Sequence, residues 1–130
     1  MKNYLLDSDV LIWYLRDKPE IVEAVSLLGQ EGWLGCSVIS ILEVGAGIKP
    51  GEEERTITFL EGLESYPVDK SAAQRAAGYI REFRSKGITL DFADTLIAAT
   101  ASLNNLMLVT INVAHFPMDD IELHRWARES

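Results

Sequence analysis

The sequence predicts an α/β sandwich around a parallel sheet of four or five strands. Three observations lead there. Short apolar runs alternate with longer segments of helical periodicity. The short runs are apolar throughout rather than at every second residue, as in strands covered on both faces. The chain has 130 residues, 48% of them hydrophobic, which suits one domain over residues 1–130 with a core that needs no disulfide staples.

The elements follow in order. "NYLL" (3–6) reads as the first strand. Residues 8–16 form a short helix, with Asp7 or Ser8 as its cap. Pro19 opens a second helix, "PEIVEAVSLLGQ", whose Ile21, Val25 and Leu28 share one face. "WLGCSVIS" (33–40) is the second strand, and Trp33 at its start is expected to pack. "SILEVGAGI" then continues as a helix with Ser40 as N-cap.

Glu52, Glu53 and Glu54 open a helical segment within 51–65, where acids suit the first-turn dipole. Ile57, Leu60 and Leu63 form its apolar stripe. "YPVD" is the third strand. A long helix over 70–86 turns Ala73, Ala76, Ala77, Ile80 and Phe83 inward and closes on Arg84, Lys86 and Gly87. "DFADTLIAATASL" (91–103) is small and apolar nearly all round, so it is a buried helix. "LMLVT" (106–110) is the fourth strand and "IELH" (121–124) a short fifth.

The net charge of -8, from 20 acids and 12 bases, argues against a passive nucleic-acid binder, which carries a basic face. It leaves room for an enzyme acting on nucleic acid through bound cations. Cys36 is the single cysteine and lies in an apolar run, which suits a small core residue in a reducing cytosol. The N-terminus lacks the pattern of a signal peptide, and no apolar run reaches the roughly 18 residues of a membrane span. A soluble, cytoplasmic protein is expected.

In a sheet of this kind, strand carboxyl ends and helix N-termini share an edge, and ligands bind there. Asp7 ends the first strand. Glu43 falls in the first turn of the helix after the second strand. Asp91 and Asp94 open the buried helix, and Asn112 follows the fourth strand. Each has a local explanation. Ser40 with Glu43 matches a capping box, Asp91 is an N-cap, and Asp9 favours the dipole of the first helix or supports its neighbours. Together, however, these groups would repel and desolvate one another at a cost unless a cation joined them. Oxygen ligands from acids favour a hard divalent ion such as Mg²⁺ or Mn²⁺. The strongest use of such a centre is hydrolysis of a phosphodiester.

"LLDSDVLI", "SVISILEVGAGI", "DFADTLIAATASL" and "LVTINVAHF" resemble, in order and spacing, the motifs of PIN-domain nucleases. The resemblance is strongest to the small VapC-type ribonuclease toxins and spans residues 3–116. It implies Asp7, Glu43 and Asp94 as the acidic ligands and Asn112 at a fourth position often held by Asp. Asn112 adds no charge, so a second ion would be held weakly or with substrate. Asp9, Ser40, Asp91 and His115 are supporting candidates, His115 as a general base. Ile111 stands where a basic or polar residue is often found, and Phe116 packs.

The resemblance further implies strand order 3-2-1-4-5, one or two Mg²⁺ or Mn²⁺ ions, endoribonuclease activity, a homodimer, and inhibition by a cognate antitoxin that places a basic side chain among the acids. For RNA contacts, five of the 12 bases lie between Lys70 and Lys86, with Arg81 and Arg84 three apart on one helix. Trp13 and Tyr14 are adjacent, so one of them faces outward. Two rivals remain. One is a haloacid-dehalogenase-type phosphatase with Asp7 as nucleophile, Asp9 as general acid and Asp119 and Asp120 as a later acidic pair. The other is a catalytically silent binding domain of the same fold.

Overall fold

The computed structural model describes residues 2–126. Five parallel strands form one sheet in the order β3-β2-β1-β4-β5. The strands are β1 (Lys2–Leu6), β2 (Gly32–Ser37), β3 (Glu64–Tyr66), β4 (Met107–Val109) and β5 (Glu122–Leu123). The helices are α1 (Ser8–Leu15), α2 (Pro19–Glu31), α3 (Val38–Ala46), α4 (Glu53–Glu61), α5 (Lys70–Ser85) and α6 (Phe92–Leu103). The predicted class and strand order are both observed.

β1 is central. Leu5 pairs with Gly35 on one side and Leu108 on the other, and Leu6 pairs with Val109. Successive side chains of a strand point to opposite faces, so Leu5 and Leu6 enter different cores. Leu5, Ile97, Ala98 and Leu108 pack with Tyr79 and Phe83 of α5 on one face. Leu6, Val10, Leu11, Val25, Cys36 and Val109 pack on the other. Each large apolar side chain so buried contributes roughly 1.5–3 kcal/mol. The sheet is thereby held between two helical layers, and the end of β1 becomes a fixed point.

Helix ends follow their residues. Asp69 accepts the N–H of Ala72 at the start of α5. Gly87, at φ 80, closes that helix in the left-handed region, with the Ile88 N–H returning to the Phe83 carbonyl.

Several expectations shift. β2 stops at Ser37 rather than Ser40, because the Ser37 side chain takes the Ile39 N–H and starts α3 there. Val38 and Ile39 are β-branched and apolar, so hydrophobicity alone continues the strand past its end. Ser40 is consequently not an N-cap, and Glu43 lies in the second turn rather than the first. β3 is Glu64–Tyr66, not 66–69; Pro67 has no N–H to give to a ladder. The α4 stripe loses Ile57, which is exposed, while Phe59, Leu60 and Leu63 pack. The buried face of α5 runs through Ala72, Ala76, Tyr79 and Phe83, and Ala73 faces solvent. Tyr79 enters the core because its hydroxyl is satisfied by Asp120 at 2.9 Å. Trp33 is 67% exposed rather than packed, and α6 is exposed at both ends, at Phe92 (71%) and Leu103 (40%), around a buried middle. Tyr14 stacks on Phe59 at 4.5 Å between ring centres, while Trp13 is the outward member of its pair, beneath Arg16 and Lys18.

Gly32 marks a close approach of two strands. A Cβ there would strike the backbone carbonyl of Lys2, which cannot give way without breaking the β1–β2 pairing. Gly32→Ala should therefore cost about 1–3 kcal/mol, read as a lower midpoint in thermal or urea unfolding. Gly45→Ala in α3, where a Cβ meets nothing within 4 Å, should be neutral or stabilising.

Candidate active site

Asp7 follows the last residue of β1 and donates its N–H to the Val109 carbonyl at 2.9 Å, so its place is set by strand pairing. It is also the N-cap of α1. One carboxylate oxygen accepts the Ser8 N–H at 2.8 Å, and the other accepts the Thr110 hydroxyl at 2.8 Å. Although only 5% exposed, it meets no cationic side chain among the described residues. Burial and the neighbouring Asp9, with a smaller contribution from Asp94, push its carboxyl up to about 7 against the hydrogen bonds from Thr110 and Ser8.

Glu43 reaches the same edge from the second turn of α3. Its Oε1 lies 2.7 Å from the Ser8 hydroxyl, and that hydroxyl lies 2.8 Å from the Ser40 hydroxyl. A serine has one hydroxyl proton, so Ser8 donates to Glu43 and accepts from the fully buried Ser40. Glu43 does not bond the Ser40 amide; the capping-box explanation fails because that amide lies inside the helix.

Asp94 sits in the first turn of α6, its N–H capped by Asp91 at 3.1 Å. The N-cap reading of Asp91 is thus observed. The Asp94 carboxyl is raised by burial and by Asp91, with smaller effects from Glu43 and Asp9, and lowered by His115, whose Nδ1 is 3.4 Å from Oδ2. Asp94 thus feels Asp7's neighbour Asp9 as well as Glu43. His115 is more than half exposed at the rim of the site.

Asp9 is occupied. Its Oδ1 accepts the Val10 N–H at 2.7 Å, and its Oδ2 accepts the N–H groups of Ile111 at 3.1 Å and Asn112 at 3.2 Å. It clamps the loop after β4 to the start of α1. Asn112 is exposed, and its backbone N–H also reaches the Thr110 hydroxyl at 3.1 Å. Phe116 is buried as expected, at 2% exposure. The sequence reading passed over Thr110 and the role of Ser8 toward Glu43. Thr110 is legible in retrospect as the polar residue ending an apolar strand. Trp126, whose Nε1 donates to the Thr110 carbonyl at 2.8 Å, gave no signal at all.

The residue types fit a hard divalent ion: all are oxygen donors, and Asp7 is buried beside like charges with no cationic partner among the described residues. As they stand, no three His, Cys, Asp or Glu side chains among the described residues are close enough to grip an ion. Glu43 is held by the Ser8 hydroxyl, and Asp94 faces His115.

Asp119 and Asp120 do not belong to this site. They precede β5, at the opposite edge of the sheet from Asp7. Asp120 accepts from Tyr79 and Ser102 and pairs with Arg75 at 3.5 Å. The phosphatase reading loses its second acidic pair, because a parallel sheet puts a strand's start away from its neighbours' ends. Arg81 and Arg84 are exposed on α5 and bond none of the acids among the described residues.

The PIN domain model matches residues 4–115. The chain is 35% identical to ribonuclease VapC10 of Mycobacterium tuberculosis over 114 residues, covering 88% of this chain and 86% of that one. Among solved structures, DNA-bound VapBC from Salmonella typhimurium is similar at 26% identity and a TM-score of 0.79, covering 98% of this chain and 100% of that one. VapBC2 from Rickettsia felis, bound to a promoter DNA fragment, shares the fold at 24% identity and a TM-score of 0.82, covering 96% and 99%.

Proposed function

The chain belongs to the PIN-domain family, and from that premise we propose that it is a metal-dependent endoribonuclease, the toxin of a toxin–antitoxin pair. The observation that carries the reading is the arrival of Asp7, Glu43 and Asp94, from three separate elements, at one sheet edge, where none of them is paired with a lysine or arginine among the described residues. The ribonuclease name of the M. tuberculosis relative supports the activity. The VapBC complexes among the solved structures support an antitoxin partner.

Asp7, Glu43 and Asp94 would hold Mg²⁺ or Mn²⁺, with Asn112 offering a neutral amide. When bound, one or two such ions activate water and offset charge on the phosphate. The protein's part is placement. Thr110 and the Ser8 N–H fix the Asp7 carboxylate, Ser8 and Ser40 orient Glu43, and Asp9 holds the Asn112 loop. His115 stands where it can take or give a proton at the rim. The domain comprises residues 1–130 and acts as a cytoplasmic homodimer; no helix among the described residues is long and apolar enough to cross a membrane. Exposed Glu43 and half-buried Asp94 suit a basic side chain from the antitoxin.

The test is cleavage of RNA by the partner-free protein with Mg²⁺ or Mn²⁺ and its arrest by chelator. RNA cut equally well in excess chelator would refute the reading. Ser8→Ala removes the donor that orients Glu43 but leaves the Ser8 backbone N–H on Asp7. Cleavage should fall roughly ten- to a hundredfold while Tm moves little; full activity would show that Glu43 needs no support.

A further inference from the structure

Resting on the nuclease reading, we propose that a basic groove adjoining Glu43 is the track for the RNA backbone next to the cut, with Arg16 and Lys49 as phosphate contacts. The groove, about 270 Å³, runs between the end of α1, the end of α3 and the start of α4. Glu43 forms one end. Arg16, Lys49 and Arg55 line it, against Glu52 as the one further acid. Three of the chain's 12 bases therefore meet in a cleft next to the acidic cluster of a protein whose net charge is -8.

Arg55 is fixed in place. It pairs with Asp17 at 2.7 Å and donates to the Leu15 carbonyl at 2.7 Å, so it fastens α4 to the end of α1 and makes a rigid wall. Arg16 and Lys49 have no ion pair among the described residues. Arg16 instead lies over the Trp13 ring at 5.4 Å.

The acids alone repel a polyanion. The unpaired Arg16 and Lys49 beside them offset part of that repulsion and give the phosphates a place to dock. Ile12, Leu15 and Val44 supply an apolar floor on which a base can lie. The cations favour a phosphodiester strand over a basic peptide. Sequence pattern could not find this track, because Arg16, Lys49 and Arg55 are scattered along the chain, whereas Arg81 and Arg84 stand close together on one helix.

The experiment separates binding from cleavage. Asp94→Asn protein, blocked for cutting, is titrated with a labelled single-stranded RNA over a range of salt. Adding Arg16→Gln and Lys49→Gln should weaken binding at least about tenfold. It should also make the salt dependence of log K shallower by about 0.7 per lost contact, with unfolding unchanged. In the active background the same pair should raise KM more than it lowers kcat. Unchanged affinity and salt slope would overturn the inference, as would loss of binding only on Arg81→Gln and Arg84→Gln. Loss of antitoxin binding with RNA binding intact would overturn it too, and would assign the groove to a protein partner. RNA held through Arg16 and Lys49 by a wild-type protein that never cleaves it would keep the groove and sink the nuclease reading.

Discussion

Asp94→Asn is expected to reduce RNA cleavage by at least about a thousandfold while leaving the protein folded. The substitution keeps the shape of the side chain and removes its charge. The Asp94 N–H stays capped by Asp91, and α6 is held by buried Thr95, Ile97, Ala98 and Ala99, none of which touches the change in charge. Unfolding should therefore shift by no more than about 0.5 kcal/mol, as for substitutions that disturb no core. Calorimetric titration with Mn²⁺ should show much weaker binding. A folded variant that still cuts RNA within about threefold of the wild type would remove Asp94 from the site.

Asp7→Asn should abolish cleavage to the same degree and, in chelator, make the protein more stable at neutral pH. The second effect follows from linkage. The folded-state pKa of Asp7 is about 7 against 3.8 for the unreacted group. Folded protein thus binds the proton more tightly than unfolded protein between those values. Stability from this residue is complete below about pH 4, declines as pH rises, and is lost above about 7. Asparagine carries no such penalty. Its amide oxygen can keep the Ser8 N–H, and its NH₂ can donate to the Thr110 hydroxyl. Above pH 7 the variant should gain about 2 kcal/mol or more, a Tm higher by roughly 7 °C or more. The gain should vanish near pH 4. Mn²⁺ should stabilise the wild type and have little effect on the variant. Equal stability of the two proteins across this range would mean that Asp7 is not held under electrostatic strain.

The large-scale order of the chain was legible because its signals are long or repeated. Alternating apolar runs gave the α/β class, Pro19 the start of α2, Gly87 the close of α5 and Asp91 the start of α6. The edge on which Asp7, Glu43 and Asp94 meet followed from the direction of parallel strands alone. What failed was local. At Val38 and Ile39 apolar character carries straight across the strand–helix boundary, so only the Ser37 hydroxyl marks the stop. Trp33 looked like core because it is large, yet it stands at a strand's outer end. The hydroxyl of Thr110 and the indole of Trp126 act through single hydrogen bonds to residues distant in sequence, and no periodicity reports those. The roles of the acids as ligands rest on chemistry rather than on spacing, and the two substitutions above are their test.

Asp7 and Thr110 are separated by 103 positions, yet one hydrogen bond joins them at the heart of the site. Asp7 emerges well before Thr110 during synthesis. At roughly 10 residues per second, about ten seconds pass between them. β1 has no complete β4 beside it in that interval. On the nuclease reading, a nascent chain that lacks Thr110 has no finished site with which to cut RNA. The wide spacing of the motifs then acts as a delay timer.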